Sequence, residues 1–203
     1  MIKCNVTVCG VIGRDASIRT NKEGKTFLVF PLRVMIPDTD GKTMPIEVDV
    51  SKDTAGKEVS KYRNGSRIEV SGTMYLKHRG DKLYFNLFIN EIRTATADAK
   101  DTVKGELVFR GKVGQHIEEK RDKKDQPYTM FSAFSTEKVE DGFEYQWVRF
   151  FCFGKEREAW LRPGVRVDAK GEISLSAYNG KLNVSCKVEE LVQYVADSSN
   201  SNQ

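Results

Sequence analysis

Apolar and polar residues alternate with a period of two through most of this chain. Ile2, Cys4, Val6 and Val8 share one side of the opening segment, and Leu107, Phe109, Gly111 and Val113 repeat the pattern about a hundred residues later. Side chains alternate across a strand, so this period predicts β-structure with one face buried. Further β-rich runs cover 26–35, 44–50, 67–76 and 83–92, then 128–135, 146–153, 165–175 and 182–194. Arg79-Gly80-Asp81 and Tyr178-Asn179-Gly180-Lys181 supply the positive-φ residues of tight hairpins. Gly10 and Gly111 fall where a long first strand has to bend. Pro31 predicts an edge or a bulge in the second strand. The only helical candidates are one or two turns at 54–62 and 155–161.

The chain also repeats itself. Arg63-Asn64-Gly65-Ser66-Arg67-Ile68-Glu69-Val70-Ser71-Gly72 recurs 99 positions later as Arg162-Pro163-Gly164-Val165-Arg166-Val167-Asp168-Ala169-Lys170-Gly171. Gly10-x-x-Gly13 recurs as Gly111-x-x-Gly114. A tandem duplication explains both. Each copy offers five strands with a short helix after the third, which is the arrangement of the OB-fold. The expected architecture is all-β: two tandem five-stranded OB-fold barrels at 1–94 and 104–195, a small polar linker at 95–103, and a short disordered tail at 196–203.

Composition narrows the class. The 203 residues carry 33 Lys and Arg against 29 Asp and Glu, with 39% apolar side chains. No run reaches the ~18 apolar residues that suggest a membrane span, and the opening residues read as a strand and not as a signal peptide. A cytoplasmic protein is expected. Cys4, Cys9, Cys152 and Cys186 contain no C-x-x-C pair and lie far in sequence from His78 and His116, so they predict small buried residues and no metal site. Asp38-x-Asp40, with Glu47 and Asp49, has the oxygen chemistry of a Mg²⁺ site, yet Asp38-Thr39-Asp40-Gly41-Lys42 reads more simply as a turn. Phosphate-loop, nucleophile-elbow and paired His/Cys patterns are missing, so no enzyme and no cofactor are expected.

The most informative segment is Gln146-Trp147-Val148-Arg149-Phe150-Phe151-Cys152-Phe153-Gly154-Lys155. In a strand, Trp147, Arg149, Phe151 and Phe153 share one face, and Val148, Phe150 and Cys152 share the other. The first face combines aromatic rings with a cation, which suits base stacking and phosphate neutralisation. The alternative for any aromatic in a β protein is the core.

This segment, with Thr136-Glu137 before it and Trp160-Leu161-Arg162-Pro163-Gly164 and Gly171-Glu172-Ile173 after it, resembles the bacterial single-stranded DNA-binding protein family. The first copy is similar in Val8-Cys9-Gly10-Val11-Ile12-Gly13-Arg14-Asp15, Ile18-Arg19-Thr20 and Gly24-Lys25-Thr26-Phe27. The resemblance implies base-stacking roles for Trp147, Phe153 and Tyr178, and phosphate-facing roles for Arg149 and Lys155. Most family members carry one barrel and form tetramers, whereas a few lineages fuse two barrels; by resemblance to those, a homodimer with four barrels is expected. Two departures stand out. The strand Met44-Pro45-Ile46-Glu47-Val48-Asp49-Val50 has carboxylates where the second copy has aromatic and basic residues. The final residues lack the acidic, hydrophobic-tipped tail by which the family recruits replication and repair enzymes.

Charge divides unevenly. Residues 1–100 hold 17 basic and 12 acidic side chains, whereas 101–203 hold 16 and 17. The aromatics run the other way, with seven in the first half and 13 in the second. Arg14, Arg19, Lys25, Lys77, Arg79 and Lys82 are therefore candidate phosphate contacts, with stacking left to the second copy. The mixed run Glu118-Glu119-Lys120-Arg121-Asp122-Lys123-Lys124-Asp125 predicts a solvated loop. The expected function is sequence-nonspecific binding of single-stranded DNA in replication, recombination or repair. Its rivals are an OB-fold scaffold that binds protein partners and an RNA-binding protein of the cold-shock kind.

Overall fold

The computed structural model describes residues 2–54, 58–80, 82–139, 142–154 and 156–195. Lys155, the expected tail 196–203 and part of each predicted helix lie outside the described residues. The first half of the chain forms β1 (Ile2–Ile12), β2 (Ser17–Thr20), β3 (Thr26–Pro37), β4 (Thr43–Asp53), β5 (Arg67–Arg79) and β6 (Lys82–Thr94). The second half forms β7 (Thr102–Arg121), β8 (Pro127–Val139), β9 (Gly142–Phe153), β10 (Arg166–Tyr178) and β11 (Lys181–Gln193).

In the second half, β7 pairs with β8 and β10, β9 pairs with β8 and runs parallel to β11, and β11 pairs with β10. These ladders close a five-stranded barrel, which leaves no free edge. Its core is aromatic: Phe150 packs against Phe109 at 4.9 Å and against Phe131 at 5.1 Å between ring centroids. The first half repeats the pairing order, from β1–β5 and β5–β6 through parallel β6–β4 to β4–β3. There β1 and β3 meet through Val11↔Arg33 and Ile12↔Leu32. Leu28, Leu32, Met74 and Leu87 fill this interior and are completely buried.

One ladder joins the halves. β1 pairs antiparallel with the start of β7 over seven residue pairs, from Lys3↔Val108 to Cys9↔Thr102, so all eleven strands form one hydrogen-bonded sheet. From Glu106 to Lys112 β7 also pairs with β10 and so belongs to the second-half barrel. The segment between β6 and β7 is held at its end by Asp101, whose carboxylate accepts from the Met35 amide at 2.7 Å and pairs with Arg67. β7 begins at Thr102, within the stretch expected as linker.

The glycine and proline signals have clear physical counterparts. Asn179 and Gly180 adopt φ of 50° and 73°, the two positive values of a type I′ hairpin. A Cβ on Gly10 would lie 2.5 Å from the Arg33 carbonyl oxygen, and one on Gly111 would lie 2.3 Å from that of Phe134. Both glycines thus permit close strand crossing. Pro31 pairs with Asp49 on one side, and its other edge falls between the β2 contact, which ends at Val29, and the β1 contact, which begins at Leu32. Its missing N–H interrupts no ladder there.

Three expectations are corrected. Among the described residues the helix predicted at 54–62 is one 3-10 turn at Val59–Lys61, and that at 155–161 reduces to a turn in which the Leu161 amide donates to Glu158. Segments this short cannot offset the cost of nucleating an α-helix. Their role is docking: Leu161 is buried, and Tyr62 stacks on Phe30 at 5.7 Å. The run at 118–125 is strand as far as Arg121, because pairing with β8 continues to Arg121↔Pro127. The four-residue β2 adds a strand that no burial alternation announces, since all four of its residues are exposed. No described helix is long and apolar enough to cross a membrane.

None of the four cysteines forms a disulfide. Burial pushes the thiols of Cys4 and Cys186 up to about 12, so both are protonated and chemically quiet.

Candidate nucleic-acid interface

The outer face of β8 and β9 carries a ribbon of aromatic rings. Alternation along β9 sends Val148 and Phe150 into the core and leaves Trp147 49% and Phe153 44% exposed. Register supplies their partners, because Trp147 stands opposite Phe134 and Phe153 opposite Tyr128. The ring centroids lie 4.9 Å and 5.2 Å apart in these two pairs. Phe151 stacks parallel to Phe153, and Tyr145 meets Phe134 edge-on at 5.5 Å. Arg149 sits on the same face between the two aromatic groups and is exposed. Residues two apart in a strand are separated by about 6.6 Å, so the ribbon offers a row of flat apolar surfaces with a cation in its middle.

Trp147 also explains the second glycine of the repeated motif. A Cβ on Gly114 would lie 3.0 Å from the indole Cζ3, so the missing side chain makes room for the ring to lie back on β7. The corresponding Gly13 is open, with nothing closer than 3.7 Å. Glu47 takes the place of Trp147 in the first half. There Arg33 pairs with Glu47 as Phe134 pairs with Trp147, and Asp49 and Asp53 take the places of Arg149 and Phe153.

Tyr178, 63% exposed, stands at the base of the β10–β11 hairpin, next to a groove that runs between the two halves. This groove encloses about 880 Å³, and its walls include Tyr145, Trp147 and Arg149 from the second half and His78, Lys82 and Tyr84 from the first. Of the residues expected to contact nucleic acid, the groove unites Trp147, Arg149 and Lys82. Phe153 lies further along the ribbon, six residues from Trp147 on β9. Arg79 holds its guanidinium 5.9 Å from the Tyr84 ring centroid, and Lys77 stands opposite Tyr84 in the β5–β6 ladder.

The remaining first-half cations lie elsewhere. Arg14 and Arg19 line a separate recess of about 300 Å³, and Arg14 stands 3.8 Å from Glu47. Lys25 is paired with Asp53 at 2.7 Å and lies over the Phe27 ring. These pairs offset the acidic face of β4, so Arg14 and Lys25 already have anionic neighbours. On the second half, the hydrogen bond from Lys120 holds the Glu118 carboxyl below the usual carboxylate range, and His116 and Arg149 add smaller pulls in the same direction. The described residues contain no cluster of three or more His, Cys, Asp or Glu able to hold a metal.

Sequence reasoning missed Phe143, Tyr145, Phe134 and Tyr128. Its signal was present: the alternation Phe143-x-Tyr145-x-Trp147-x-Arg149-x-Phe151-x-Phe153 runs unbroken once β9 is started at Gly142 and not at Gln146.

No protein-family model and no curated protein matches the chain. Among solved structures, it is similar to the wild-type single-stranded DNA-binding protein from Thermus aquaticus, with 13% identity over 100% of this chain and 97% of that one and a TM-score of 0.46. A deletion mutant of the same Thermus aquaticus protein gives 12% identity, coverage of 100% and 98%, and a TM-score of 0.47. A Plasmodium falciparum protein, solved in complex with single-stranded DNA, gives 18% identity over 45% of this chain and 95% of that one, with a TM-score of 0.35.

Proposed function

We propose that this chain is a non-enzymatic protein of two OB-fold modules, 1–94 and 104–195, that binds single-stranded DNA with little sequence preference and serves replication, recombination or repair. The observation that carries the reading is the aromatic ribbon of β8 and β9, half-exposed and interrupted by Arg149. Large rings left in water on a flat strand face are costly unless something covers them, and unpaired nucleobases fit that surface. Every base has a π-face, so stacking tolerates any sequence and contributes roughly 1 to 3 kcal/mol per base. Arg149 then meets phosphate beside the rings, Lys155 is assigned a phosphate contact from the sequence alone, and Tyr178 stacks at the hairpin. Lys77, Arg79 and Lys82 extend the cationic path, and Arg14, Arg19 and Lys25 add a weaker field across the first module. A homodimer would present four such modules to one strand.

The acidic β4 and its paired cations weaken the first module's hold on phosphate, so binding is led by the second. Titration with oligo-dT tests the reading through tryptophan emission. Trp147 is half-exposed, and its emission is expected to be quenched as DNA binds. Unchanged emission together with unchanged anisotropy of a labelled oligo-dT would rule the function out and favour a protein scaffold. Stronger competition by poly-U than by oligo-dT would favour an RNA ligand.

A further inference from the structure

The groove between the halves contains an arrangement that phosphate tracking does not account for. Its second-half wall carries Tyr145, Trp147 and Arg149, whereas its first-half wall sets Glu47 and Asp49 of β4 beside Tyr84, His78 and Lys82. A polyanion whose backbone faced those carboxylates would be repelled. The same carboxylates are acceptors, and the Arg14–Glu47 ion pair at 3.8 Å is too long for a hydrogen bond, so Glu47 keeps acceptor capacity. Bases differ in what they offer an acceptor. Cytosine presents an N4 amino group and adenine an N6 amino group, whereas thymine has no exocyclic amine.

The walls are also held in place. The Gly180 amide donates to Asp38 at 3.3 Å and the Gly80 amide donates to Glu144 at 3.1 Å, so a hairpin of each half is tied to the other half. At about 880 Å³, the groove falls within the ~300 to 1,000 Å³ typical of ligand clefts, and it is shaped before any ligand arrives.

Building on the proposed function, we infer that the groove is a composite base pocket that reads amino groups. A base unstacked onto Trp147 turns its edge toward Glu47 and Asp49, while its phosphates stay outside beside Arg149 and Lys82. The first half thus contributes base selection, and the pocket favours cytosine and adenine over thymine.

The test compares oligo-dC with oligo-dT of equal length at one salt concentration and pH 8, using the full chain and the doubly substituted Glu47→Gln, Asp49→Asn chain. Only the base on Trp147 enters the groove, whereas the rest of the ribbon stacks any base, so the preference is a local bias on otherwise sequence-tolerant binding, and the unsubstituted chain is expected to bind oligo-dC about threefold more tightly than oligo-dT. In the substituted chain that ratio is expected to fall toward one. Removing two negative charges strengthens both complexes by a common factor, so only the ratio reports contact with the base edge. A ratio near one in the unsubstituted chain, or an equal ratio in both chains, overturns the inference and leaves a merely repulsive wall. Tyr84→Ala is expected to weaken both complexes several-fold; unchanged affinities would remove the first half from the site and overturn the composite pocket. Failure of the unsubstituted chain to bind either strand would overturn the proposed function itself, which is a separate outcome.

Discussion

The Asp38 carboxylate in the first half accepts a hydrogen bond from the Gly180 amide in the second, at 3.3 Å. Its counterpart runs the opposite way, from the Gly80 amide to Glu144 at 3.1 Å. In each case a carboxylate at a β3–β4-type hairpin meets the turn glycine of a β5–β6-type hairpin in the other half. The two halves are therefore joined by a reciprocal pair of contacts that fixes the hairpin beside Tyr178.

This contact has a defined pH dependence. Amide hydrogen bonds, that of Thr39 first, hold the Asp38 carboxyl below its ordinary value of 3.8. A depressed carboxylate stabilises the fold above its unfolded pKa, and that contribution disappears as pH falls through the lower native pKa. The Gly180 amide shift, followed by NMR, is expected to titrate with a midpoint below 3.8 and to lose this step in Asp38→Asn. A midpoint at or above 3.8 would show that the carboxylate is not engaged.

Stacking and charge are separable. Trp147→Ala combined with Phe153→Ala is expected to weaken oligo-dT binding by at least tenfold at every salt concentration, given roughly 1 to 3 kcal/mol per stacked base. The slope of log affinity against log salt is expected to stay the same. Arg149→Ala is expected to flatten that slope by about 0.7, the share of one phosphate contact on a single strand. Unchanged affinity in the aromatic double variant would sink the stacking assignment.

The repeated glycines Gly72 and Gly171 make a prediction about stability. Both ladders shift register at the glycine, between Ser71 and Gly72 and between Lys170 and Gly171. A Cβ at either position would lie 2.1 Å from a carbonyl oxygen, that of Phe88 or Lys187. Backbone cannot yield as a side-chain tip can, so Gly171→Ala is expected to cost about 1 to 3 kcal/mol in denaturant unfolding. Gly13→Ala, whose nearest contact is an ordinary 3.7 Å, serves as the control and is expected to change little. Equal stability of the two variants would show that the bulge relaxes freely.

Much of this was readable from the chain because the relevant forces are local. Alternation marks strands wherever one face is buried, and Asn179-Gly180 encodes its turn in its own backbone preferences. β2 escaped because exposure of all four residues erases the alternation. The full length of β7 is hidden because charged Glu118 to Arg121 read as loop, although pairing with β8 carries the strand onward. Trp147 is legible from its own strand, but nothing local marks Tyr84, His78 and the acceptor wall opposite it as its neighbours. The groove arises from a ladder between β1 and β7, positions about a hundred residues apart, and no short stretch of sequence encodes such a meeting.

That ladder has a consequence for severed chains. Because β7 is shared by both halves, a proteolytic nick between β6 and β7 would leave seven antiparallel residue pairs spanning the break. The two fragments are expected to co-elute under native conditions and to separate only in denaturant, so the pieces could be expressed apart and reassembled as a complementing pair.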